Sequence, residues 1–426
     1  MTSIGVIHAT VSATVSTTGT TFAEVVESDA LTDGTTYYVV CHAIVDANSS
    51  ALTFEWRLVD RTNSDAVLSN STLIREPAQN GVEQSYYFVG RFTAGSDGGG
   101  LAFEQRSATD VSKIARTQYA SMMIFDLSNM QSNDFFFDND RTNTALSATT
   151  FADFAAGSIT APQDGEIWMV WGWQASAMNN VDKSVEMQLN YDNGTSETNT
   201  PSIKFEGEDL TEVLGFSMSQ PFTIADTPAT ATWTMLSRDS GVSAVAQNNH
   251  LESTVFGVRL NAFKDFTSTF TEAETTSTST DWVELKSSSF TPTHAGDVIV
   301  SAYSTANLDG STRKSFQRVQ VDGTTSPNVR PDTQYSSNAN DASDELALGY
   351  ITKYTGVAGT AATLDYDVKK NIANDVGWGQ FSLVAFTIEL EEAFNFSAVA
   401  LDTYNSGDRA SETFAAGDVA AEVNPE

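Results

Sequence analysis

Four histidines, one cysteine and a large surplus of carboxylates are the residues with which this chain could do chemistry. Cys41 and His42 are adjacent, and pairing a thiol with an imidazole is the usual way to make a nucleophilic thiolate. They lie in the run Tyr37-Tyr-Val-Val-Cys-His-Ala-Ile-Val45, which reads as a strand, and neighbours on a strand point to opposite faces. The thiol therefore cannot meet that imidazole, and Cys41 is expected to fill a core. His8, His250 and His294 share no spacing with one another. Asp134-Phe-Phe-Phe-Asp138-Asn-Asp140 gathers hard oxygen donors of the kind Ca²⁺ takes, which makes Asp138 and Asp140 the candidate metal ligands. The spacing is not that of an EF-hand, and Asp-Asn pairs also serve as turn formers. No other cofactor is expected. Phosphate loops, dinucleotide fingerprints, His-Glu-x-x-His and Gly-x-Ser-x-Gly elbows are missing, so the chain is read as no enzyme.

Aromatic residues offer a second chemistry, the stacking of rings on sugars. Trp168, Trp171 and Trp173 sit at suitable spacing, but Ile167, Met169 and Val170 between them assign the stretch to a core. Trp56, flanked by Glu55 and Arg57, is the better surface candidate, and a host-surface glycan is the ligand it would take.

What must position these residues is a module used three times. Gly34, Gly165 and Gly296 are 131 residues apart, each in an acidic turn that leads into an apolar run. At the far end of each unit Phe125, Phe256 and Phe386 return at intervals of 131 and 130, and Phe22, Phe151 and Trp282 open the units. Val, Ile, Thr, Tyr and Phe dominate the periodic stretches, Asp-Gly and Asn-Gly turns punctuate them, and no helical stripe is present. The expected fold is all-β: three tandem jelly-roll-like β-sandwich modules over 1–131, 132–262 and 263–392, followed by a C-terminal tail over 393–426. Residues 167–173 are apolar on both faces, so that strand should be central and covered on both sides. Three repeats with drifting polar residues disfavour one shared catalytic centre.

Charge bounds the partners. The formal net charge is -33, and only 9 of the 22 basic residues are lysine. Such a field repels nucleic acid and anionic membranes, and its self-repulsion is relieved in concentrated salt, where the Debye length falls to about 3 Å at 1 M. A halophilic or saline setting follows as an expectation. The N-terminus lacks the pattern of a secretory signal, and no apolar run is long enough to span a membrane. Self-association is expected, as a homotrimer or otherwise a pentamer. The apolar cluster Phe135, Phe136 and Phe137 needs a cover, from the next module or from a neighbouring subunit, and the tail carries Phe394 and Phe396 with little else to bury.

In overall style the chain resembles the jelly-roll and β-sandwich accessory structural proteins of tailed viruses, bacterial or haloarchaeal. The resemblance rests on tandem acidic sandwich modules rich in Thr, Ser and Asn, with one unpaired cysteine and no enzyme motif, so it transfers no functional residue. It implies a virion structural protein, assembled in the host cytoplasm with other virion proteins, as a capsid-exterior decoration or vertex turret. The alternatives are a tail-fibre or baseplate receptor-binding protein and a secreted surface-layer adhesin.

Overall fold

A computed structural model describes residues 2–49, 52–75, 84–146, 150–179, 184–200, 202–206, 212–240, 248–272, 275–277, 279–307, 314–322, 324–325, 333–336, 345–370 and 376–391. The tail over 393–426 lies outside the described residues. The first module contains β1 (Gly5–Val11), β2 (Val15–Thr18), β3 (Ala23–Glu27), β4 (Thr36–Ala47), β5 (Phe54–Asp60), β6 (Ala66–Val67), β7 (Leu73–Arg75), β8 (Gln84–Thr93), β9 (Leu101–Ser107) and β10 (Ile114–Asp126). The second contains β11 (Phe135–Asp140), β12 (Thr144–Ala145), β13 (Ala152–Thr160), β14 (Ile167–Ala177), β15 (Ser184–Asp192), β16 (Glu197–Asn199), β17 (Ile203–Glu206), β18 (Val213–Thr223), β19 (Thr230–Ser240) and β20 (Asn249–Arg259). The third contains β21 (Phe266–Thr271), β22 (Thr275–Ser277), β23 (Val283–Phe290), β24 (Gly296–Asn307), β25 (Lys314–Val321), β26 (Thr324–Thr325), β27 (Thr333–Ser336), β28 (Glu345–Gly356), β29 (Ala362–Lys370) and β30 (Val376–Thr387).

The three sets pair identically. One sheet runs β1-β10-β4-β8 in the first module, β11-β20-β14-β18 in the second and β21-β30-β24-β28 in the third, with β2, β12 and β22 extending the edge. The other runs β3-β9-β5, β13-β19-β15 and β23-β29-β25, closed by the short sixth and seventh strands. Counting the first two strands as one and the sixth and seventh as one leaves eight strands in two sheets, which in that merged count are ordered 1-8-3-6 and 2-7-4-5, a jelly roll; below, fourth, seventh and eighth refer to the full set of ten, as in β4, β7 and β8. The turn into the fourth strand shows how sequence fixes the fold locally. Gly34 and Gly165 adopt left-handed φ values of +73° and +81°, open to glycine at no steric cost, and donate their N–H to Ala94 and Ile224 just past the eighth strand, each at 2.9 Å. Gly296 departs from this pattern. It opens β24 opposite Gly356 without a left-handed φ, so the third repeat enters its strand by a different turn.

In each β1-type sheet the inner strands are buried on both faces. On β14 the alternation splits the tryptophans: Trp168 faces its own sandwich, against Phe136 and Trp233, whereas Trp171 and Trp173 face the first module, against Phe125 and Phe88. Those outward faces meet in a cycle. Trp173 Nε1 donates to the Tyr87 carbonyl on β8 at 2.9 Å, Ser382 Oγ to the Ser219 carbonyl on β18 at 2.9 Å, and Ser121 Oγ to the Ile351 carbonyl on β28 at 2.7 Å. Module two thus bonds to the eighth strand of module one, three to that of two, and one to that of three. The seventh strands close the same three seams in the opposite sense, with β7 beside β18, β17 beside β28 and β27 beside β8. Three jelly rolls in one chain therefore close into a pseudo-threefold ring around the eighth strands.

Two seams are crossed by the chain and the third is not. Residues 127–134 lead from β10 to β11, and a 3-10 turn at Leu260–Ala262 leads from β20 toward β21. Between modules three and one the closure is non-covalent: Ile4 N donates to the Ile388 carbonyl at 3.0 Å and Leu390 N to the Thr2 carbonyl at 2.9 Å.

Candidate functional site

Two repeated constructions could act on other molecules or on assembly: the seams at the centre and a cluster on the outer sheet of each module. At the centre, Tyr87 touches all three modules. Its carbonyl takes the Trp173 indole N–H, and its hydroxyl accepts the Gly349 N–H at 2.7 Å. Gly215 and Gly349 permit this approach, because a Cβ on Gly215 would lie 2.9 Å from the Tyr87 carbonyl oxygen and one on Gly349 would lie 3.3 Å from its ring. A buried ion pair, Arg75 with Glu212 at 3.2 Å, locks the edge where Ile74 of β7 pairs with Val213 of β18.

The outer cluster surrounds the aromatic residue that opens each unit. Arg57 and Arg106 lie over the Phe22 ring at 3.6 and 4.3 Å, Arg238 over Phe151 at 4.5 Å, and Arg318 over Trp282 at 4.3 Å. Each guanidinium is held by a carboxylate directly across the sheet: Arg57 by Glu104, Arg106 by Glu55, Arg238 by Glu186 and Arg318 by Asp367. Just beyond the aromatic, the edge strand carries a register shift in all three modules, at Glu24/Val26, Asp153/Ala156 and Glu284/Lys286. An irregular, charged edge resists pairing with a stray strand.

These arginines escape a column-by-column reading because the second and third modules retain different pairs. The first module carries two such pairs, Arg57–Glu104 and Arg106–Glu55; the second retains the counterpart of Arg106–Glu55, with Arg238 on β19 opposite Glu186 on β15, and the third the counterpart of Arg57–Glu104, with Arg318 on β25 opposite Asp367 on β29. Either pair alone supplies a cation over the ring with its charge balanced across the strands, so neither position needs an arginine in all three modules.

The sequence-derived candidates are dispersed. Cys41 is buried, and burial pushes its thiol up. His42 faces the other way, stacked on Tyr87 with ring centroids 4.8 Å apart and edge-on to Tyr350 of the third module at 5.2 Å. Burial lowers its pKa to about 3, and neither ring nitrogen has a hydrogen-bond partner. His8 reaches Ser121 at 2.9 Å, and burial, then the nearby Lys353, lowers its pKa to about 4. His250 lies against Phe154 within the second module, with burial lowering its pKa, and His294 contacts Thr293. Asp138 accepts the Ala156 N–H at 2.8 Å, and Asp140 accepts the Thr142 N–H at 2.7 Å. Among the described residues no three His, Cys, Asp or Glu side chains converge as a metal site.

One expectation changes, and another resolves to one of its two alternatives. Trp56 is a core residue, 1% exposed, with its indole N–H donated to Gln105. Glu55 and Arg57 point to the opposite face of the strand, so their polarity says nothing about Trp56. The cover for the phenylalanine cluster is supplied inside the chain: Phe136 stacks on Trp233 in its own sandwich, while Phe135 and Phe137 meet Tyr38 of the first module edge-on at 5.6 Å. That cluster therefore gives no reason for a neighbouring subunit. Trp168, Trp171 and Trp173 are buried, as their apolar neighbours imply. No helix among the described residues is long and apolar enough to cross a membrane.

The strand pairing and the closed ring define a class, a single-chain assembly of three jelly rolls. No family model and no curated protein matches the chain. Among solved structures, the CBM22-1–CBM22-2 tandem domain of Paenibacillus barcinonensis Xyn10C is similar over 60% of this chain and 91% of that one, at 9% identity and a TM-score of 0.21. A chain of Sulfolobus Turreted Icosahedral Virus is similar over 84% of this chain and 81% of that one, at 9% identity and a TM-score of 0.21. The VP2 subviral particle of infectious bursal disease virus is similar over 60% and 68%, at 8% identity and a TM-score of 0.23. Likenesses at this level carry no argument; the jelly-roll assignment rests on the strand order.

Proposed function

We propose that the chain is a non-enzymatic structural protein of a virus particle, seated on the exterior of the shell at a position of threefold symmetry. The observation that carries this reading is the closed ring, in which three jelly rolls turn their apolar sheet faces toward one another within one polypeptide. Such a unit presents the same surface three times around one axis, and a threefold-symmetric underlying lattice can contact all three copies at once, gaining avidity from each. A fivefold vertex offers no such match, which favours decoration over a turret. The outer residues suit an exposed and persistent role. Arginines are committed to cross-strand carboxylates, the irregular edge strands resist aggregation, and the net charge of -33 keeps copies apart in solution and favours a saline setting. A lone buried cysteine is compatible with folding in a reducing host cytoplasm.

Binding to particles tests the role. Purified chain added to shells stripped of it should cosediment and saturate at one chain per threefold position. Saturation at a fivefold stoichiometry, or no binding in either dilute or molar salt, would refute the assignment.

A further inference from the structure

The seam that lacks a peptide link also holds two histidines, His42 buried and His8 half-buried. His42, on β4, is enclosed by the rings of Tyr87 on β8, Tyr119 on β10 and Tyr350 on β28. Among the described residues, both its nitrogens are buried without a hydrogen-bond partner and no charged group faces it. His8, on β1, belongs to a chain of bonds that crosses the same seam. The single Ser121 hydroxyl proton goes to the Ile351 carbonyl of module three, so His8 Nε2–H is the donor to Ser121 Oγ. The charged groups facing His8 are Lys353 on β28 and Asp297 on β24, paired at 2.7 Å across module three. His250 and His294 make their contacts within modules two and three.

We infer that the ring is built to open in acid at one place, with protonation of His8 and His42 releasing the third module from the first while the two covalently linked seams stay closed. A cation on His42 would be buried among aromatic rings without a carboxylate, and a cation on His8 would add a second positive charge beside Lys353. Opening the seam returns both imidazoles to water. The sign follows from the depressed pKa values. The open state binds more protons, so the seam is at full strength above the ordinary histidine pKa of about 6.5 and weakens as pH falls toward about 4 and about 3. Between pH 7 and pH 5 each histidine shifts the equilibrium toward opening by about twenty-fold, and the two together by about five-hundred-fold. This device is separate from where the chain sits on a particle.

Hydrogen exchange on the full chain tests it, labelled at pH 7 and pH 5 and corrected for intrinsic rates. The Ile4, Gly349 and Leu390 amides, which bond across this seam, should lose protection by two to three orders of magnitude at pH 5, while β14 and β18 amides keep theirs. In a His8→Gln/His42→Phe variant, which keeps a donor to Ser121 and an aromatic in the cage, the loss should shrink below about tenfold. An equal loss in that variant, or a simultaneous loss at all three seams, overturns the inference. If the double variant does not fold at pH 7, His8→Gln alone decides. It should reduce the loss by about twenty-fold, and an unchanged loss overturns the proposal.

Discussion

Replacing Gly215 with alanine should loosen the ring without unfolding the modules. Gly215 lies on β18, and an added Cβ would sit 2.9 Å from the Tyr87 carbonyl oxygen of the first module and 3.1 Å from Trp173 Nε1. The first of these neighbours is backbone and cannot swing aside, so β8 and β18 must separate. That movement lengthens the bond from Trp173 Nε1 to the Tyr87 carbonyl, now 2.9 Å, between groups that water does not reach. Overpacking costs about 1–3 kcal/mol and a stranded buried donor about 1–3 kcal/mol, while the stiffer unfolded chain returns about 0.4–1 kcal/mol. The net loss should be about 2–4 kcal/mol, which is about 30- to 1,000-fold in the opening equilibrium at 1.4 kcal/mol per factor of ten. Hydrogen exchange of β8 and β18 amides at neutral pH reads this directly, with amides of the second module's inner sandwich as the internal reference. Less than a threefold change in β8 and β18 would refute the claim that these modules meet through their eighth strands.

Phe136→Ala should cost about 3–5 kcal/mol, seen as an early unfolding transition of the second module, because the ring stacks on Trp233 at 4.9 Å inside that sandwich. A midpoint within error of the parent would contradict the placement. Arg75→Ala, which strands a Glu212 side chain of 0% exposure, should destabilise by about 3–5 kcal/mol, whereas Arg238→Ala on the outer sheet, 33% exposed, should cost no more than about 1 kcal/mol in urea unfolding. Equal costs would mean that the seam is wetter than described. The thermal midpoint should rise between about 0.1 and 2 M NaCl as counterions screen a net charge of -33; a flat or falling midpoint would count against a saline setting.

The repeat was legible because sheet packing constrains apolar pattern and turn position more tightly than any polar residue. Phe125, Phe256 and Phe386 pair with Tyr38, Trp171 and Ile299 on the fourth strand of their own modules, so the register moves between modules while an apolar partner is kept at each. The doubly apolar run on β14 also announced a strand covered on both sides. What covers it was not legible, since Phe88 and Phe125 belong to another module and nothing local in either segment points to the other. Trp56 shows the opposite failure. Reading its polar neighbours as signs of exposure ignored the two-residue period of a strand, in which charged flanks mark the other face. The arginine clusters were hidden because β15 and β19 keep the counterpart of Glu55–Arg106 while β25 and β29 keep that of Arg57–Glu104, so no one position is arginine throughout.

A map of the intact particle by cryo-electron microscopy tests the central claim most directly. A three-lobed density on the threefold axes, with one jelly roll per lobe and the β8, β18 and β28 strands around the axis, is the expected result. Density for this chain at fivefold vertices, on the tail, or nowhere on the particle would contradict it.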